Sequence, residues 1–214
     1  MKTIAMFMHQ PYCSVQSGNG ILNALTPNYR FKIFTKHELE EDFFDNVDMV
    51  CIPGGIGDAS KFDMCFAHNG DRIRRFVQDG GKYLGICMGG YWASDYYLGI
   101  LSDDVTITQY IKRPNTDTRR PHAKHMEVEW NNQQERIYFY DGFAVAGSEE
   151  HFETVARYAN GDPMAIIQNN IGLIACHLES EPHWFESYSW MKGKYHDGRH
   201  HRLLLEFVDR LMEK

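Results

Sequence analysis

The segment Lys82-Tyr-Leu-Gly-Ile-Cys87-Met-Gly-Gly-Tyr91-Trp-Ala-Ser94 admits few folds. Lys82 to Ile86 has the length and apolarity of a buried strand, and the residues after Cys87 read as the opening of a helix. Cys87 therefore falls on a strand-to-helix turn, the pattern of a nucleophile elbow. Gly85 and Gly89 flank it and lack the Cβ atoms that would obstruct so sharp a reversal. A cysteine placed there is lifted clear of the backbone toward substrate. The following helix aims its free N–H groups and the positive end of its dipole at the sulfur, which favours thiolate and stabilises negative charge during attack.

Three more apolar runs, Thr3 to Met8, Tyr29 to Thr35 and Asp48 to Ile52, precede the elbow strand, separated by stretches able to hold a helix and by Gly or Pro. The alternation predicts an α/β fold with a mostly parallel sheet. Before the elbow strand, Ile73, Phe76 and Val77 share one face of a helix that Asp79-Gly80-Gly81 stops. In an open α/β sheet the loops after strand C-termini form the ligand crevice, so Ile52-Pro-Gly-Gly-Ile-Gly-Asp58 belongs beside Cys87.

The middle third changes character. Val105 to Lys112, Met126 to Trp130, Arg136 to Tyr140 and Ala144 to Ala146 read as short strands with turns at Asn131-Asn132 and Asp141-Gly142, which predicts an antiparallel extension of the sheet. Thr154 to Tyr158, Met164 to Gln168 and Gly172 to Cys176 continue it, the last running into His177. Leu204, Phe207, Val208, Leu211 and Met212 make the apolar stripe of a C-terminal helix. With 214 residues, 43% hydrophobic and 24% charged, the chain suits one domain over 1–214, a flavodoxin-like three-layer sandwich.

A net charge of −7 gives no bulk electrostatic reason to bind nucleic acid or an anionic membrane. The apolar start, Met1 to Met8, is too short for a signal peptide and no run approaches a membrane span, so the expected location is cytoplasmic. Cys13, Cys51, Cys65, Cys87 and Cys176 are an odd set without paired metal-ligand spacing and read as reduced thiols, and no cofactor or metal is expected. His196-Asp197-Gly-Arg-His200-His201 reads as a solvated helix start, with a metal as the rival reading. The basic stretch Arg113 to His125 reads as a mobile loop, or as a dock for an acidic ligand or partner.

His177-Leu178-Glu179 is the second chemical signal. On an extended segment residues two apart share a face, so His177 can reach Cys87 while Glu179 orients the imidazole, with Glu181 and His183 as nearby rivals. The Gly54-Gly55 loop and the backbone of Met88 are the candidate oxyanion donors. Tyr91, one helical turn from Cys87, either lines the substrate pocket or packs with Trp92 against the core.

The order of these pieces, a strand followed by Pro-Gly-Gly, then Gly-x-Cys-x-Gly on an elbow, then His-x-Glu after a late strand, resembles the class I glutamine amidotransferase-like superfamily. More narrowly, Gly-Ile-Cys87-Met-Gly-Gly-Tyr91, Tyr-Asp-Gly142, the run Ala156 to Ala165 and His177-Leu-Glu179 look like the amidotransferase-like domain at the N-terminus of some biotin protein ligases. Nothing resembles the biotin-ligating catalytic domain. The resemblance implies Cys87 as nucleophile, His177 as base, Glu179 as its orienter and Gly54 and Gly55 at the oxyanion. The implied function is a cysteine-dependent amidotransferase or amidase that cleaves a glutamine-like carboxamide C–N bond through a Cys87 thioester. Its implied partners are a small-molecule amide and an ammonia-accepting synthetase. Two departures stand out: Tyr91 occupies the place of the usual substrate-binding glutamine, and Leu178 that of a proline. The alternatives are a peptidase or deglycase-like branch, and a non-catalytic or redox-sensing ligand-binding module on the same fold.

Overall fold

The computed structural model describes Met1–Lys214. The first four apolar runs form β1 (Thr3–Phe7), β2 (Arg30–Phe34), β3 (Met49–Ile52) and β4 (Lys82–Ile86). With β11 (Ile171–Ile174) they make the parallel part of the sheet, in the order β2-β1-β3-β4-β11. Every residue of β3 and β11 is buried. Both faces are covered there, which is why these strands read as unbroken apolar runs.

The same sheet continues antiparallel through β10 (Pro163–Gln168), β9 (Glu153–Tyr158), β6 (Lys124–Trp130) and β7 (Gln133–Phe139). From Met126 to Trp130 buried and exposed residues alternate, so this part keeps one solvated face. Asn131 and Asn132, at φ 46° and 63°, supply the left-handed pair that a two-residue hairpin between β6 and β7 needs. The expected antiparallel extension is therefore continuous with the parallel half, and the α/β class holds.

Two expectations need correction. The strand expected over Val105 to Lys112 is only β5 (Thr106–Gln109), and it pairs with β8 (Phe143–Ala146) in a separate two-stranded sheet. Tyr110–Lys112 turns into a single 3-10 turn because the buried Tyr110 ring stacks on Tyr158 at 3.7 Å, drawing the chain inward. The strand expected to reach Cys176 stops at Ile174. The Ile174 carbonyl accepts the Cys87 N–H at 2.8 Å, and the chain then leaves β4, so that the His177 N–H donates to the Tyr138 carbonyl at 2.8 Å instead.

Helices α1 (Val15–Leu25), α2 (Phe62–Phe66), α3 (Gly70–Gln78), α4 (Met88–Trp92), α5 (Pro182–Glu186) and α6 (Arg199–Glu213) pack around the sheet. The five stripe residues of α6 and Ile73 and Val77 of α3 are buried as their periodicity predicts. Helix α1, capped by the Ser14 hydroxyl, lies against the 179 turn so closely that a Cβ on Gly20 would sit 2.1 Å from the Glu179 carbonyl oxygen. A small separate cluster of Ala123, Tyr138, Trp184, Phe185 and Met191 packs beyond the C-terminal end of β11.

Candidate active site

Cys87 lies between β4 and α4 at φ 49°, ψ −105°, a conformation that an L-residue keeps only where its surroundings hold it. The hold is visible: its N–H is bound by Ile174, and its carbonyl accepts the Gly90 N–H at 2.9 Å. The elbow glycines are sterically required, because a Cβ on Gly89 would meet the Ile52 carbonyl oxygen at 2.1 Å and one on Gly85 would meet the Gly89 oxygen at 2.6 Å. Cys87 is 9% exposed, and its Sγ lies 4.0 Å from the Tyr140 carbonyl.

His177 and Glu179 meet as expected, although through a turn closed by Ser180 N–H to the His177 carbonyl rather than along an extended segment. His177 Nδ1 is 2.7 Å from Glu179 Oε1, and both side chains are buried. Nε2 is thereby left as the nitrogen free to exchange a proton with a reacting group. Burial alone would lower the imidazole pKa, but the charges of Glu179 and Cys87 outweigh it and push it up to about 10. The edges and faces of Tyr138 and Trp184, at 6.0 and 5.3 Å between ring centroids, box the imidazole in.

Ser17, on α1, ties this pair to the glycine loop. Its hydroxyl donates to Glu179 Oε1 at 2.6 Å and accepts the Gly54 N–H at 3.0 Å. The Gly54 N–H is thus committed to Ser17, which corrects its assignment as an oxyanion donor. The N–H groups of Gly55 and Met88 donate to no acceptor within the chain, and both border a cavity that Cys87 also lines. Two unpaired backbone donors thus stand on the wall that Cys87 shares.

Two cavities meet at Cys87. A cleft of about 220 Å³ contains His177, Gly54 and Trp184, and a chamber of about 820 Å³ contains Met88, Tyr91, Gln109 and Asp141. Tyr91 packs and also borders the chamber. Its ring packs edge-on against Phe143 at 5.6 Å, and its hydroxyl reaches the chamber wall, 3.4 Å from the Asp141 carbonyl. Burial raises the Tyr91 pKa, so its hydroxyl stays protonated.

Of the rivals to the acid and base, Glu181 binds Asn23 at 3.0 Å, and His183 is exposed on α5. Burial pushes the thiol of Cys13 up to about 12 and that of Cys65 up to about 11, and raises those of Cys51 and Cys176. All five cysteines are free. The histidine cluster is not a solvated helix start: His200 is 2% exposed, His196 bonds the Ser180 carbonyl at 2.9 Å, and desolvation lowers their pKa values to about 3 and about 4. No group of three metal-binding side chains converges there or elsewhere. The basic stretch is pinned, with Arg113 bidentate to Asp162 at 2.9 Å and Lys124 paired with Asp117 at 2.7 Å. Sequence reasoning missed Ser17 and Gln109, since neither stands in a motif, and it read Asp141 only as a turn residue.

The architecture, with its elbow, is the class I glutamine amidotransferase-like fold, flavodoxin-like in its parallel half. Residues 12–98 match the model of the family described as biotin-protein ligase, N terminal. A glutamine amidotransferase from Thermotoga maritima superposes with a TM-score of 0.67 at 15% identity, over 100% of this chain and 99% of that chain. The structure of PurLQS from the same organism gives 0.64 at 16% identity, over 99% of this chain and 100% of that chain. No curated protein matches the sequence. No helix is long and apolar enough to cross a membrane.

Proposed function

We propose that the protein is a cysteine-dependent amidase of the amidotransferase type, cleaving a carboxamide C–N bond through a thioester on Cys87. The observation that carries this reading is the elbow cysteine sharing one cleft with the buried His177–Glu179 pair. The Cys87 thiolate attacks the carbonyl carbon, and the oxygen takes up negative charge toward the Gly55 and Met88 N–H groups. The His177 imidazolium gives its proton to the amide nitrogen, the C–N bond breaks and ammonia leaves. Water then attacks the thioester carbon and gives a proton to the neutral imidazole. The C–S bond breaks, the acid leaves and the thiolate–imidazolium pair is restored.

The test is ammonia release from a panel of primary amides, with Cys87→Ala and His177→Ala as controls. Turnover that falls about 10⁴-fold in both variants, with unchanged melting temperatures, supports the reading. Turnover that persists in Cys87→Ala overturns it. A redox-sensing module instead predicts that ligand binding survives His177→Ala and that no amide is turned over. The fold shared with PurLQS supports a second setting for the same chemistry, in which ammonia passes to a synthetase partner.

A further inference from the structure

The cavities on the two sides of Cys87 assign the two halves of an amide. His177, the histidine that Glu179 holds, lines the small cleft and not the chamber, with the exposed His183 on the same cleft wall. Met88, whose N–H would face the carbonyl oxygen, lines the chamber and not the cleft, and Gly55 borders both. An amide bound for attack therefore turns its nitrogen toward the cleft, where about 220 Å³ suits ammonia, and extends its acyl chain into about 820 Å³.

The chamber has a definite charge character. Its walls carry two carboxylates, Asp58 and Asp141, and no lysine, arginine or histidine. Lys61 and Lys112 act on these carboxylates from beside the chamber without lining it, and Lys112 is exposed. An acyl chain whose only charge is a terminal carboxylate would meet Asp141 with no cation lining the chamber to pair it. Asp58 is exposed and bound up with Ser60, whereas Asp141 is half-buried. Both Asp141 carboxylate oxygens accept from the single Gln109 Nε2, at 3.2 and 3.0 Å, which leaves unused acceptor capacity on a carboxylate that lines the chamber. Three tyrosines, Tyr91, Tyr97 and Tyr140, complete the wall, and aromatic faces attract ammonium and guanidinium ions.

We propose that the chamber beside Cys87 receives an ammonium or guanidinium group at the far end of the substrate's acyl chain, paired with Asp141 among Tyr91, Tyr97 and Tyr140. The inference rests on the amidase reading for the identity of the reacting bond, but binding tests it separately.

The experiment is calorimetric titration of the Cys87→Ser protein with 5-aminopentanamide, pentanamide and glutaric acid monoamide, three primary amides of similar length whose tails are cationic, neutral and anionic. The expected order of affinity is cationic, then neutral, then anionic, with about a tenfold gap between the first two. In the double variant that adds Asp141→Asn the gap closes. Asp141 stands at φ 62°, where asparagine is readily accommodated, so this change removes the charge while keeping the turn. An anionic amide that binds as well as the cationic one, a gap that survives Asp141→Asn, or no binding of any of the three overturns the proposal. A measurement free of variants accompanies it, the specificity constants of the wild-type protein for ammonia release from the same three amides. Ammonia release without charge preference keeps the amidase and removes the cation site. Charge-ranked binding without ammonia release keeps the cation site and removes the amidase.

Discussion

The two sides of Cys87 are built by different means. On the cleft side a chain of buried hydrogen bonds fixes the base, with Glu179 holding His177, Ser17 holding Glu179 and the Gly54 N–H holding Ser17, while Glu179 Oε2 and Trp184 Nε1 stay without a partner. On the chamber side the contacts are sparse. Tyr91 makes one long hydrogen bond of 3.4 Å to the Asp141 carbonyl, the Gln109 and Asp141 side chains bond only each other, and Tyr140, which borders both cavities, is 45% exposed. Buried, interlocked groups resist substitution, because removing one leaves its partner unsatisfied in low dielectric. On the amidase reading proposed above, the difference makes reaction chemistry and substrate choice separable: the cleft would fix how a bond is broken, and the chamber which molecule presents it.

Substitutions on the two sides should differ accordingly. Glu179→Gln keeps the shape but removes the charge that holds His177 as imidazolium, so turnover should fall by about 10²- to 10⁴-fold, mostly in kcat, in the ammonia assay. If the loss appears in KM alone, the cleft is a binding feature and the contrast fails. Ser17→Ala leaves the Gly54 N–H without an acceptor and Glu179 Oε1 with one donor fewer. A stability loss of about 1–3 kcal/mol in denaturant titration follows, together with a drop in kcat.

The His177 titration supplies a test that needs no substrate. Its pKa is raised from 6.5 when unfolded to about 10 when folded. The stabilisation linked to its proton is therefore fully present below pH 6.5 and is lost as pH rises through about 10. Unfolding free energy should decline from neutral to alkaline pH, and the decline should be shallower in His177→Ala. Smallest of all is Tyr91→Phe. Losing the 3.4 Å hydrogen bond should cost about 1 kcal/mol or less in stability, with any kinetic change in KM. A large kcat loss there would place reaction chemistry on the chamber side too.

How much of this was legible in the sequence depends on range. The elbow was legible because its signal is local: an apolar strand, a cysteine and glycines whose absent side chains the turn demands. The His177–Glu179 pair was legible from spacing, although the chain meets it with a turn after Ile174, because Tyr138 captures the His177 backbone. Ser17 was not legible, since the residue it serves lies 162 positions away and α1 carries no motif linking them. The same gap misassigned Gly54, whose N–H points the expected way in a bare Gly-Gly loop but is taken once α1 docks. His196 and His200 read as solvated because the sequence around them is polar; Ser180 and Phe185 pack on His196, and His200 lies against His196 and 3.6 Å from Glu135 of β7.

The central claim is that Cys87 is a nucleophile made reactive by His177. Its most direct test is the rate of single alkylation by iodoacetamide at neutral pH, followed by intact mass and peptide mapping, in wild type, Cys87→Ser and His177→Ala. One fast adduct on Cys87, absent in Cys87→Ser and slowed at least about tenfold in His177→Ala, is the predicted result. Alkylation of Cys87 no faster than that of an ordinary thiol, or unchanged by loss of His177, would contradict the account.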